Sequence, residues 1–196
     1  MNPQIEKLIK MFARLPRVGN RAATRIVLSL LADKTGRATA LAETLNTVSS
    51  TIHPCPICGI LTDGDICEFC RDTSRANGTL CVVRDMSDVI VFEKSSVFHG
   101  RYHIIGGVLS GISGTTPADL NIAGIQSRIK NENIHEIIFA LPNTIEGKTT
   151  ANYIMSTIND ENITYTELAS GVPLGGELDY IDDGTLTLAF GGRKKL

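Results

Sequence analysis

The sequence predicts an α+β chain of several modules, and three observations carry that prediction. Residues 1 to 52 repeat apolar side chains at helical spacing, residues 53 to 77 hold four of the five cysteines with almost no apolar periodicity, and from residue 78 short β-branched runs alternate with helical stretches. The alternation favours a parallel sheet, because each strand-to-strand connection then carries a helix. With 196 residues, 42% hydrophobic and 20% charged, the chain has the composition of a folded protein and not of a disordered one.

In the N-terminal module, Ile5, Leu8, Ile9 and Phe12 form one stripe, Ala23, Ile26, Val27 and Leu30 a second, and Leu41, Leu45, Val48 and Ile52 a third. Gly19-Asn20 and Thr35-Gly36 break them, with Asn20 read as the N-cap of the second helix. The strands expected further on are 80–83, 102–105, 136–140 and 163–166, and the connecting helices 87–96, 118–132 and 149–159. Residues 171 to 196 are Gly-rich, end in a basic tail with Arg193, Lys194 and Lys195, and attach to neither module. No stretch reads as a leader or a membrane span, so the expected location is the cytoplasm.

The net charge of −2 hides an asymmetry, since residues 1 to 52 carry eight Lys/Arg against three Asp/Glu and the remainder eleven against eighteen. A basic end points to a surface that meets an anion; a solvated basic helix face is the plain alternative. The cysteines give a sharper signal. Cys55 and Cys58, then Cys67 and Cys70, are two C-x2-C knuckles, each able to aim two thiolates at one ion, so that together they close a tetrahedral structural zinc site. Disulfide pairing suits a cytoplasmic chain poorly, and a redox pair needs only one such knuckle. His53 is a bystander beside four cysteines, and Cys81 reads as a small core residue in an apolar strand.

The segment Leu15 to Ile26 resembles a helix-hairpin-helix, an element that holds the DNA backbone without reading sequence. Gly19 is expected to permit the tight turn, the following helix N-terminus to favour a phosphate, and Arg21 and Arg25 to share one face. Arg17 stands where the motif usually has its first glycine, which alters the turn or adds a phosphate contact. The α/β segment looks like a Toprim domain, in which a glutamate after the first strand and an Asp-x-Asp pair after a later one hold Mg2+. Here Arg84 replaces the glutamate and Ala140-Leu141-Pro142-Asn143 replaces the acidic pair. Asp85 and Asp88 read as helix N-terminal acids. Catalysis by this segment is therefore not expected.

In order along the chain, these pieces together with Glu146 to Ile154 and Gly171 to Leu186 resemble the bacterial recombination mediator RecR family. Gly111, where that family usually has proline, is a further departure. The resemblance implies a helix-hairpin-helix domain over 1–52, a four-cysteine zinc finger over 53–77, a Toprim-like domain over 78–170 and a C-terminal oligomerisation segment over 171–196. It also implies a ring-like homo-oligomer, a tetramer or a dimer, that clamps DNA and acts with RecO, RecF or both to load RecA onto gaps coated with single-strand-binding protein. On that reading Arg21, Arg25 and Arg17 meet DNA, Cys55, Cys58, Cys67 and Cys70 hold one Zn2+, and Glu146 meets the protein partner. The rivals are a Toprim-type metal-dependent nuclease or topoisomerase-like enzyme, opposed by Arg84, and a zinc-stapled adaptor that binds only proteins. Gly111 to Thr116 lacks the lysine of a P-loop, so no nucleotide is assigned.

Overall fold

Asn2 supplies the acceptor that starts the first helix: its Oδ1 takes the Gln4 N–H at 2.9 Å, and Pro3 at the first helical position loses no hydrogen bond there. In the computed structural model, which describes residues 1 to 193, the chain divides into two units, Met1–His53 and Pro54–Leu196. The first holds α1 (Pro3–Ala13), α2 (Asn20–Ala32) and α3 (Arg37–Thr51). Ile9, Ala23 and Val27 are buried there, with Ile5, Leu8, Phe12 and Val18 packed around them. The first two stripes thus meet as their period requires, although Ile26 stays exposed. The third does not follow: α3 buries no residue, and Leu41, Leu45 and Val48 face outward. The start of α2 differs too, since Gly19 and not Asn20 is its N-cap.

Short strands β1 (His53–Pro54), where the units divide, and β2 (Leu61–Thr62) form a two-stranded sheet, and α4 (Glu68–Arg71) follows. The frame of the second unit is a four-stranded parallel sheet of β3 (Thr79–Val83), β4 (Arg101–Ile104), β5 (Glu136–Ala140) and β6 (Thr164–Glu167), in the order β4-β3-β5-β6. Between the strands run α5 (Met86–Ser95), α6 (Ala123–Glu132) and α7 (Ile145–Ile158).

Side chains alternate across each strand, so the sheet has two apolar faces to cover. Leu80, Val82, Ile137 and Phe139 share one core with Ile125 of α6 and Ile154 of α7. Cys81, Val83, Tyr102 and Ile104 share the other with Val89 of α5 and with Cys55, Cys58, Ile60 and Cys67. The cysteine segment therefore needs no core of its own, because it serves as part of the cover for this second face. It also continues the sheet's edge, where the Ile104 N–H donates to the Cys58 carbonyl at 2.8 Å. The approach requires glycine next in line: Gly59 has φ +79°, and a Cβ there would lie 3.1 Å from the Ile104 carbonyl oxygen.

Helix starts were the least legible feature. The connection after β4 becomes helical at Ala123 and not at 118, because Thr116 and Asp119 form a capping box around a single 3-10 turn, Pro117–Asp119, after which Leu120 is extended. In the opposite sense α7 begins at Ile145, four residues before the expected 149. Thr144 caps it by accepting the Gly147 N–H at 3.2 Å, and Gly147 sits inside the first turn for a steric reason: a Cβ there would run into the Pro142 carbonyl oxygen. The C-terminal segment holds a helix that the composition concealed, α8 (Asp183–Gly191), capped by Asp182 and with no buried residue. Lys194 and Lys195 of the basic tail lie outside the described residues. Among those described, no helix is long and apolar enough to cross a membrane.

Candidate nucleic-acid interface and metal centre

The turn between α1 and α2 is made by Arg17 and not by Gly19. Arg17 has φ +63°, whereas Gly19 is extended at φ −82° and a Cβ there would meet nothing within 4 Å. The residue that replaces the motif's glycine thus keeps the glycine's left-handed backbone, a conformation that costs an L-residue roughly 1–2 kcal/mol. Arg17, Arg21 and Arg25 are all exposed, the last two four residues apart on α2 and away from the buried Ala23 and Val27. No ion pair among the described residues holds any of the three. The first turn of α2 carries no acid and its N-cap no side-chain acceptor, which leaves the positive helix end open to an anion.

Cys55, Cys58, Cys67 and Cys70 bring their sulfurs within 4.8 Å of one another, Cys58 and Cys67 to 3.4 Å. Thiolates about 2.3 Å from a tetrahedral zinc ion stand about 3.8 Å apart, so the set fits the ion as it is. The charges call for a cation as well. Sulfurs this close cannot all ionise without a cation between them, and the Cys58–Cys67 contact accordingly pushes the Cys58 thiol up and holds Cys67 down. Zn2+ takes the place of the thiol protons and lets all four sulfurs ionise; with four protein ligands it has no open position and serves structure. His53 is exposed and outside the cluster, and Cys81 is a core residue whose thiol is pushed up to about 12 by burial.

At the carboxyl end of the sheet, where the Toprim likeness would put Mg2+, the donor set does not fit. Arg84 follows β3, and its Nε pairs with Asp85 Oδ2 at 2.8 Å. Asp85 caps α5, with its other oxygen taken by Ser87 and its carboxyl held below the ordinary value by that bond first. Asp88 completes the capping box by accepting the Arg84 and Asp85 N–H groups at 3.1 and 3.3 Å. Both acids are thus helix caps, as their position in the sequence suggests. Residues 141–145 after β5 include no carboxylate, and among the described residues the four cysteines are the one metal-competent cluster. Glu146 lies in the first turn of α7, half-buried beside the exposed Ile145, in a shallow hollow with Leu109 and Ser110.

Sequence reasoning missed two arginine–carboxylate networks around the second knuckle. Arg75 grips Glu93 with two nitrogens at 3.0 and 2.7 Å and lies 4.9 Å over the Phe69 ring, while Tyr102 Oη donates to the same carboxylate at 2.7 Å. Arg128 forks onto Glu132 at 2.7 and 3.0 Å and donates to the Tyr102 carbonyl at 2.6 Å. Arg101 shares Glu132 at 2.8 Å and donates to the Cys70 carbonyl at 3.1 Å. His103, wholly buried, lies 2.6 Å from the Asn121 carbonyl through Nε2 and 3.4 Å from Arg128 through Nδ1. The signal in the sequence is small: Arg128 and Glu132 stand four apart, the spacing of a helical ion pair.

Family models match the chain from end to end in four pieces: RecR helix-hairpin-helix over residues 5–49, the RecR zinc finger domain of the four-cysteine type over 52–72, Toprim domain over 78–169, and RecR C-terminal over 171–194. A protein named Recombination protein RecR from Paracoccus denitrificans (strain Pd 1222) is 47% identical over 193 residues, 98% of this chain and 97% of that one. Its namesake in Ruegeria sp. (strain TM1040) is 44% identical over 195 residues, 100% of this chain and 98% of that one. Likeness at this level over whole chains, with the hairpin, the closed cysteine cluster and the Toprim sheet in the same order, shows that the chain belongs to the RecR family of recombination proteins.

Proposed function

We propose that the chain is a DNA-binding mediator of recombinational repair. It assembles as a ring-like homo-oligomer that clamps DNA and, with RecO or RecF, promotes loading of RecA onto gaps coated with single-strand-binding protein. One observation carries this reading best: three exposed guanidinia without ion pairs, Arg17, Arg21 and Arg25, lie before and along the start of a helix whose N-cap has no side-chain acceptor, while at the carboxyl end of the Toprim sheet Arg84 follows β3 and the acids beside it, Asp85 and Asp88, are spent as helix caps. The first feature is suited to phosphates and the second to a role without phosphoryl chemistry. The chain accordingly acts without catalysis, in the cytoplasm. Modules over 1–52, 53–77, 78–170 and 171–196 bind DNA, hold zinc, meet the partner through Glu146 and join neighbouring subunits, respectively. Exposed Leu178, Tyr180 and Phe190 in the last of these support the association of subunits.

The test is DNA binding as a function of salt for the protein and for a variant with Arg21→Ala and Arg25→Ala. The slope of log affinity against log salt should flatten by roughly 0.7–0.9 for each phosphate no longer held, about equally for all sequences. A wild-type slope in the double variant sinks the reading. So does Mg2+-dependent DNA cleavage abolished by Asp85→Ala.

A further inference from the structure

We infer that Arg101 is a positioning residue for the zinc centre, so that zinc retention depends on a buried charge network outside the four ligands. Arg101 on β4 donates one Nη to the Cys70 carbonyl at 3.1 Å and the other to Glu132 of α6 at 2.8 Å. Glu132 is fixed in turn by the fork of Arg128, whose side chain is 3% exposed and whose remaining donor holds the Tyr102 carbonyl on the strand that carries Arg101. The knuckle of Cys67 and Cys70 is thereby tied to β4 and α6 by side chains that are themselves held, which fixes where the Cys70 thiolate stands before metal arrives.

Charge carries the argument further. Two guanidinium groups share one carboxylate in a place where Arg101 and Glu132 are only 15% and 12% exposed, and the exposed Asp72 carboxylate, which also attracts Arg101 but pairs with Arg75 at 3.7 Å, offsets the surplus positive charge only in part. A buried surplus charge is unfavourable unless something opposite lies near. Four thiolates around Zn2+ carry a net charge of −2, and the backbone of one of those ligands is what Arg101 touches. Arg101 Nε is buried and has no hydrogen-bond partner among the described residues, so the guanidinium keeps a donor in reserve beside the loaded centre. Loaded zinc thus neutralises the network, and the network holds the second knuckle for zinc. The Arg75–Glu93 network meets the knuckle through the Phe69 ring but donates to no cysteine carbonyl, so Arg75→Lys, which keeps a cation there, is the control for the backbone tie.

The zinc-loaded full chain is mixed with 4-(2-pyridylazo)resorcinol, and zinc transfer is followed by absorbance. Arg101→Lys keeps the charge but cannot hold Glu132 and the Cys70 carbonyl with one planar fork. Transfer should quicken about tenfold or more, the range found when partners of metal ligands are removed. Glu132→Gln should act in the same direction, and it keeps the proposal testable if Arg101→Lys fails to fold. Arg75→Lys should stay within about twofold of the parent. Unfolding midpoints by circular dichroism in saturating zinc separate this role from general loosening, which would speed transfer only in step with a lowered midpoint: faster transfer at an unchanged midpoint supports the inference, and acceleration that merely tracks the midpoint overturns it. Parental transfer rates in both Arg101→Lys and Glu132→Gln, or equal acceleration in Arg75→Lys, would overturn the inference.

Discussion

Replacing Arg17 by glycine should make the protein more stable and a weaker DNA binder at once. The stability gain comes from the backbone: at φ +63° an arginine bears roughly 1–2 kcal/mol that glycine does not. Against it stands the greater freedom of glycine in the unfolded chain, about 0.5–1 kcal/mol. The net expectation is a gain of about 0.5–1 kcal/mol. The binding loss comes from the side chain, which is exposed and without an ion pair, and amounts to one phosphate, or about 0.7–0.9 in the salt slope. Arg17→Ala separates the two, since it removes the charge and keeps the left-handed backbone; it should bind like the glycine variant without its added stability. Urea unfolding and fluorescence anisotropy with labelled DNA measure the two quantities. A glycine variant no more stable than the parent would refute the backbone argument, and an unchanged slope in both variants would refute the phosphate contact.

Two further outcomes follow from the second unit. Burial, with the Arg128 cation adding to it, holds His103 at about 4 against the usual 6.5, so it stays neutral in the fold while the unfolded chain takes up a proton below 6.5. Its share of stability is full above 6.5 and falls through the interval down to about 4, by about 2 kcal/mol between pH 7 and 5. That loss should vanish from the urea midpoints of His103→Gln, and a variant with the parental pH dependence would clear His103 of the effect. Gly147→Ala, although it favours the helix by about 1 kcal/mol, forces a methyl against the Pro142 carbonyl and should lower stability by about 1–2 kcal/mol net; an unchanged midpoint would show that the loop after β5 yields freely.

Features written in local spacing were legible in the sequence: the paired C-x2-C knuckles, the parallel strands, and the acids at the start of α5. The exposure of Arg21 and Arg25 was legible for the same reason, since Ala23 and Val27 mark the buried side of α2. The rest required the third dimension. Gly19 drew attention as the turn residue because glycine usually is, yet the positive φ fell on Arg17, whose side chain gives no sign of it. Arg101, Arg128 and Glu132 come from two elements that meet only when β4 forms the sheet edge beside α6, so no window of sequence contains the network. The cysteine segment looked like a module of its own because its apolar residues are few. Its core is borrowed from the face of the sheet that α5 leaves partly bare, a relation that periodicity within the segment cannot express.

The N-terminal unit raises the question of what stabilises it. Its buried residues are Ile9, Ala23 and Val27, and a segment of this size is marginal even when it is well packed. A 15-residue helix such as α3 is itself marginal in water unless one face is covered, and no residue of α3 is buried. Meanwhile Leu28 and Leu31 of α2 and Leu41, Leu45 and Val48 of α3 are all exposed. Full burial of such a side chain contributes about 1.5–3 kcal/mol; these five are already about half covered, so covering the rest contributes roughly 4–8 kcal/mol, within the range of the cost of bringing two chains together. The proposed self-association therefore has a physical source at this end of the chain, independent of the C-terminal segment. Its signature is mass action: the unfolding midpoint of residues 1 to 53, followed by hydrogen exchange in the full chain, should rise with protein concentration and keep rising after truncation at residue 170. A midpoint independent of concentration would mean that these five side chains remain in water, and the proposed self-association would lose its driving force at this end of the chain.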